Sequence, residues 1–161
     1  MKKFLIAFVA SVTFLCAVPN EITPVIGGVH PFDSDKFESH LTYGLRLGLG
    51  IDATFIDQIE FGYDYSKNIK YRNSNEINDF YRVYLNAIKE FGISNKMKLY
   101  GIVGLGHDDV YGKTHGYERG GFGQYGVGVK YYFDNYFSIR SEIRHGIKFD
   151  SGDGSLFYTV G

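Results

Sequence analysis

The sequence predicts an all-β fold: an eight-stranded antiparallel up-and-down transmembrane β-barrel whose last strand is cut short. Two observations carry the prediction. Several stretches alternate apolar with polar residues at period two, which is the mark of a strand because successive side chains point to opposite faces. The polar face repeats one inventory of Gly, Arg, Lys, Glu and Asp, while the other face is continuously aliphatic and aromatic. A closed sheet with lipid outside and a polar interior fits that pattern.

Taken in order, Glu21 to His30 is strand-like but blurred, and its Pro24 cannot donate to a ladder. From Leu41 the outward parity is Leu41, Tyr43, Leu45, Leu47, Leu49 and Ile51, against Thr42, Gly44, Arg46, Gly48 and Gly50. From Gln58, Ile59, Phe61, Tyr63 and Tyr65 alternate with Glu60, Gly62, Asp64 and Ser66. Tyr81, Val83, Leu85 and Ala87 oppose Arg82, Tyr84, Asn86 and Glu90, with Lys89 interrupting the outward row where it can snorkel to a headgroup. Leu99, Gly101, Val103 and Leu105 oppose Lys98, Tyr100, Gly104 and Gly106. Tyr125, Val127, Val129, Tyr131 and Phe133 oppose Gln124, Gly126, Gly128, Lys130 and Tyr132. Phe137, Ile139, Ile143, Ile147 and Phe149 oppose Arg140, Glu142, Arg144 and Lys148. Leu156, Tyr158 and Val160 continue in register, but the stretch from Ser155 has only seven residues, against roughly 9 to 11 for a spanning strand. Closure of the barrel is the expectation most exposed to test.

The connections alternate too. Asp33–Ser39, Lys67–Asn78 and His107–Gly120 are long and polar, and Phe149–Ser155 is rich in Gly and Asp. Asp52–Asp57, Gly92–Lys96 and Asp134-Asn135 are short. Short turns in the periplasm and longer loops outside are the rule for bacterial barrels, so both chain ends fall on the periplasmic side.

With 161 residues the chain has room for one domain. Lys2 and Lys3 precede an apolar run, Phe4 to Leu15, too short to span a bilayer as a helix and suited to a secretory signal core. Residues 1–17 are therefore read as a signal peptide cleaved after Ala17, and 18–161 as the barrel. Leu15 stands where a small residue is preferred, and no small residue directly precedes Cys16, which disfavours a lipoprotein. Cleavage takes the formal charge from −1 to −3 through loss of the two lysines, and removes the single Cys. A mildly acidic chain lacks the basic excess that nucleic-acid binding needs. Without disulfides, an exported chain depends on backbone pairing and packing. The 21 glycines, roughly twice the usual share, gather on the inner face, where a narrow barrel needs small residues.

The chain resembles the eight-stranded transmembrane domain of OmpA-like outer-membrane proteins, and most closely the CadF-type adhesins. The resemblance runs from about Glu21 to the end. It rests on Glu21-Ile-Thr-Pro24, Tyr43-Gly-Leu-Arg-Leu-Gly48, Asp57-Gln-Ile-Glu-Phe-Gly62, Tyr84-Leu-Asn-Ala-Ile-Lys89 and, most specifically, Gly120-Gly-Phe-Gly-Gln-Tyr-Gly-Val-Gly-Val-Lys130. It implies an outer-membrane barrel in contact with lipid and lipopolysaccharide that, in adhesive members, binds host extracellular matrix through fibronectin. Full-length members continue into a peptidoglycan-gripping domain to which nothing here corresponds, so no peptidoglycan contact is expected. A Phe-Arg-Leu-Ser segment associated with fibronectin binding in those members aligns with Tyr131, Tyr132, Phe133 and Asp134, which keep only its leading aromatic character.

The inward parity offers four acids, Glu60, Asp64, Glu90 and Glu142, and seven bases, Arg46, Arg82, Lys98, Lys130, Arg140, Arg144 and Lys148. An eight-stranded barrel is only just wide enough for side chains to fill, so these charges must touch and pair. Two readings follow: a static plug of ion pairs, or a gate in which pairs of Glu60 or Glu142 with Arg140 or Lys130 break to open a thin ion path leaning towards anions. The plug is favoured. Ser141 and His145 share the outward parity, but four strand residues span roughly 13 Å, too far for nucleophile and base. His107, Asp108, Asp109 and His115 in the third long loop supply metal-ligand types without first-shell geometry, so solvated loop residues are expected, with no metal and no cofactor. The glycines of 120–128 lack the helix and Lys-Ser/Thr that phosphate cradling requires. Lys67, Lys70, Tyr71 and Arg72 form a basic and aromatic patch at the second long loop, able to meet lipopolysaccharide phosphates or an acidic partner. A soluble lipocalin-like barrel is the structural alternative, with apolar residues inside and charges outside.

Overall fold

The computed structural model describes residues 21–32, 38–51, 53–70, 77–111 and 118–161. Eight strands follow one another: β1 (Glu21–Pro31), β2 (His40–Gly50), β3 (Gln58–Lys70), β4 (Ile77–Gly92), β5 (Met97–Tyr111), β6 (Glu118–Tyr132), β7 (Ser138–Lys148) and β8 (Gly154–Val160). Each pairs antiparallel with its sequence neighbours, and β1 pairs with β8, so the sheet closes on itself. The seventeen N-terminal residues read as a signal peptide lie outside the described residues.

The short last strand does not prevent closure. β8 pairs with β7 from Ser141↔Val160 to Ile147↔Gly154, and with β1 from Ile26↔Val160 to Pro31↔Ser155. Gly161 adds one more step, exchanging backbone hydrogen bonds of 2.7 and 2.9 Å with Arg140. Pro24 lies beyond the stretch of β1 that β8 covers, where the lost donor leaves the β1–β8 ladder intact.

The two faces follow the alternation. Leu45, Leu47, Phe61, Leu85, Val103, Leu105, Val127, Ile143 and Tyr158 are exposed on the outer wall, whereas Arg46, Glu60, Asp64, Arg82, Lys130, Arg140, Glu142 and Arg144 are buried inside. This is the inverse of a lipocalin-like barrel, and that alternative is excluded: so broad an apolar exterior belongs in lipid. Lys89 resolves as expected of a snorkelling side chain, its ammonium reaching 3.1 Å from the Thr54 carbonyl and 3.1 Å from Asp57 in the β2–β3 turn.

Strand lengths correct the sequence reading of the long loops. β3 runs to Lys70 and β5 to Tyr111, so Lys67 and Lys70 belong to a strand, as do His107, Asp108 and Asp109. The alternation was hidden at β3 by a register shift between Ser66 and Ile69, with Asn68 at φ 58°, a left-handed conformation that Asn tolerates. The shift changes parity and turns Ile69 inward, where it is buried. The outcome is a lopsided barrel: β3 to β6 have 13, 16, 15 and 15 residues, against 11, 11, 11 and 7 for β1, β2, β7 and β8.

Glycines give the interior its room at particular points. Gly62 faces Tyr84 and Gly128 faces Tyr100 across neighbouring strands, and each tyrosine ring lies in the space a Cβ would fill. The ring thus covers the glycine while its hydroxyl reaches into the lumen.

Candidate functional site: the charged lumen and the raised wall

At mid-barrel, three arginines and three acids alternate in a closed ring. Arg46 on β2 lies 2.6 Å from Asp64 and 3.9 Å from Glu60, both on β3. From β7, Arg140 reaches Glu60 at 2.5 Å and Glu142 at 2.6 Å. Arg144 completes the circuit at 3.1 Å from Glu142 and 3.1 Å from Asp64. All six side chains are essentially sealed from solvent. Isolated ions there would cost several kcal/mol each, and alternation of sign lets each charge meet two of the opposite kind.

Neutral groups fill the remaining positions. The Tyr84 hydroxyl donates to Asp64 at 3.1 Å, and the Tyr100 hydroxyl accepts from Arg140 Nε and donates to Glu142, each at 3.1 Å. Asn86 donates to Glu60 at 2.9 Å, Gln124 to Asn86 at 2.6 Å and Thr159 to Glu142 at 2.9 Å. The ring is therefore held from seven strands of the eight, which fixes their register as well as their charge.

Two smaller groups flank it. Towards the short turns, Lys130 lies between Glu21 (2.7 Å) and Glu90 (3.1 Å), and Lys98 also pairs with Glu90. Lys130 thus pairs with neither Glu60 nor Glu142, the partners expected from sequence. Towards the long connections, Arg82 meets Asp108 at 3.1 Å, with Lys148 at 3.7 Å from the same carboxylate. The Arg82 guanidinium is stacked 3.8 Å from the ring centre of Phe122 and 4.1 Å from that of Phe157. Asp108 is thereby an interior counter-ion and not a solvated loop residue. Among the described residues, Glu21 and Asp108 raise the interior acids to six against seven bases, so the predicted lean towards anions shrinks there to a single charge. Asp108 escaped the sequence reading because β5 runs past the end assigned to it, and Glu21 because the alternation of β1 is blurred.

The remaining predicted positions separate. Tyr131 and Tyr132 end β6 and Phe133 and Asp134 open the β6–β7 turn, so this segment lies at the short-turn end, opposite the long connections. Tyr131 and Phe133 stack edge-on at 5.3 Å on the outer wall. Lys67 and Lys70 are exposed on β3, whereas Tyr71 and Arg72 lie outside the described residues, as does His115. No group of metal-ligating side chains forms among the described residues. His145 bonds through Nδ1 to the Tyr125 hydroxyl at 2.8 Å, on the strand next to its own, and is not turned to Ser141.

In the turn between β2 and β3, partial burial raises the Asp57 carboxyl, but the Glu90 backbone N–H at 2.7 Å and the Lys89 ammonium outweigh it and hold the carboxyl below its ordinary value.

A closed antiparallel sheet with an apolar exterior and a paired-charge interior defines an outer-membrane β-barrel. Residues 22–160 match the outer membrane protein beta-barrel domain family, and the chain belongs to it. Its fold is similar to that of Ail, the attachment invasion locus protein of Yersinia pestis (14% identity, 89% of this chain and 97% of that one, TM-score 0.57). It is similar also to Neisserial surface protein A (13%, 89% and 96%, TM-score 0.62) and to the N-terminal β-barrel domain of Pseudomonas aeruginosa OprF (19%, 86% and 94%, TM-score 0.55). No curated protein sequence matched the chain.

Proposed function

We propose that the chain is a non-enzymatic outer-membrane barrel whose raised outer wall is an adhesion surface, directed at host extracellular matrix protein of the fibronectin kind and resting in lipopolysaccharide. The observation that carries this reading is the lopsided rim: β3 to β6 continue past their shorter neighbours on the side of the long connections. The last ladder pair of β6 with β7 is Phe122↔Lys148, so residues 118–121 of β6 rise above it with one further bond, from the Phe149 N–H to the Gly121 carbonyl. On the same wall, Tyr65 donates to Asp79 at 3.0 Å and Tyr81 to Asp109 at 2.9 Å. Rigid tyrosines beside acids suit protein contact at little entropic cost.

The reading assigns adhesion to this wall and not to Tyr131, Tyr132, Phe133 and Asp134, which face the periplasm if the long connections are outside. The closeness to CadF-type adhesins and the removal of residues 1–17 are part of the same proposal, and intact mass of the exported protein tests the latter. Refolded protein in liposomes, passed over immobilised fibronectin, tests the former. Tyr65→Ala with Tyr81→Ala is expected to lower retention at least several-fold, and Phe133→Ala to leave it unchanged. Equal retention of liposomes with and without the wild-type protein would end the adhesion reading.

For the lumen, the proposal is a plug. The balanced ring, each ion meeting at least two of opposite sign and Arg46 and Glu142 meeting three, supports a fixed filling over an anion path gated at Arg140 or Lys130.

A further inference from the structure

The inward side chains of β4, read from the long connections to the short turns, are Asn78, Phe80, Arg82, Tyr84, Asn86, Ile88 and Glu90. They sample the lumen from one end to the other, and its chemistry changes along them. Phe80 belongs to a buried apolar cluster with Val29 from β1, Ile69 from β3, Val110 from β5 and Phe157 from β8. Five strands thus contribute one side chain each to a layer across the barrel, and every one of the five is at most 7% exposed. Arg82 lies directly beneath, its guanidinium against Phe157 and Phe122 and also 5.6 Å from the ring centre of Phe80. The charge ring begins only at Tyr84 and Asn86. From Phe80 to Tyr84 is roughly 13 Å along the strand, so layer and ring are successive levels of the lumen, touching where Arg144 of the ring lies 5.6 Å from the ring centre of Phe157.

The two ends of the lumen are unlike. At the short-turn mouth the inward groups are charged and reach solvent: the Lys98 side chain is 42% exposed and that of Glu21 24%. At the opposite end the five apolar side chains of the layer are buried, and beside them only Lys148, on Asp108, is partly exposed among the charged groups named above, at 19%.

We propose that this layer is a second barrier to ions, in series with the charge ring, so that the lumen is a blind cup entered from the periplasmic mouth. A hydrated ion passing the layer would lose its water against Val, Ile and Phe side chains, and an apolar constriction of this kind blocks by dewetting without any charge at all. The proposal deepens the plug reading of the lumen. It differs from a gate at Arg140 because loss of the ring alone leaves the layer shut.

Planar-bilayer recording of the refolded full barrel tests it with four proteins: wild type, Arg140→Ala, Val29→Ser with Val110→Ser, and the three changes together. The first three are expected to be silent, and discrete openings are expected only when both barriers are breached. Openings in wild type would overturn the plug reading itself. Openings in Arg140→Ala alone would overturn the second barrier while leaving a single ring in control, and openings in the double serine variant would show that the ring is no barrier in series. Heat-modifiable gel migration establishes that each protein is folded. If the triple variant does not fold, Arg140→Gln with Val110→Ser breaches each level by one side chain and is expected to show brief openings. Silence of a folded variant altered at both levels overturns the proposal.

Discussion

Arg140 on β7 reaches across the lumen to Glu60 on β3, 2.5 Å away, and joins two walls of the barrel that share no ladder. Both side chains are buried, so removing one leaves the other charge without its closest partner. Arg140→Ala is expected to destabilise the folded barrel by about 3–5 kcal/mol, the usual cost of breaking a buried pair. Reversible urea unfolding in lipid measures it. A loss below about 1 kcal/mol would show that the ring relaxes around the gap.

Gly128 and Tyr100 form a second cross-strand dependence. A Cβ at residue 128 would enter the Tyr100 ring, which is itself hydrogen-bonded to Arg140 and Glu142. Gly128→Val is expected to cost about 1–3 kcal/mol from overpacking. In the background of Tyr100→Ala the same change should cost markedly less, because the obstructing ring is gone. Equal cost in both backgrounds, by the same unfolding assay, would place the penalty in the backbone and not in the ring.

The Asp57 turn makes a prediction about pH. Its carboxyl is held below the ordinary value of 3.8 by Glu90 and Lys89, so the folded state binds this proton less readily than the unfolded chain does. The contribution to stability is therefore fully present above the unfolded value and disappears as pH falls through the folded one. Asp57→Asn should destabilise the barrel at neutral pH, modestly because the pair is about one-third exposed, and the difference from wild type should vanish in strong acid. A difference that grows on acidification has the wrong sign for this account.

The strand alternation and the inward placement of the ring residues were legible in the sequence, because a half-buried wall writes its period directly. Arg46, Glu60, Asp64, Arg140, Glu142 and Arg144 each follow from parity alone. Their partners do not, since parity fixes the face and not the stagger: Lys130 faces Glu21 and Glu90, three and two strands distant in opposite senses around the barrel, a relation that only the closed register creates. The upper strands were misread where polar residues imitate a loop. Asp108 and Asp109 look solvated, yet the backbone beneath them stays paired on both sides, and the irregularity at Asn68 breaks the period that would have betrayed β3. The apolar layer was hidden for the opposite reason. Ile69 and Val110 stand on the inner face of those same extensions, and an apolar residue in a stretch read as a loop carries no direction.

The account depends above all on which end of the barrel faces out, because the raised wall is a recognition surface only from the cell exterior. An epitope inserted between Tyr111 and Glu118, at the long-connection end, and the same epitope inserted in the Ile93–Lys96 turn decide it by antibody labelling of intact and permeabilised cells. The first is expected to be labelled on intact cells and the second only after the outer membrane is breached. Labelling of the Ile93–Lys96 insertion on intact cells, with the other protected, would contradict it.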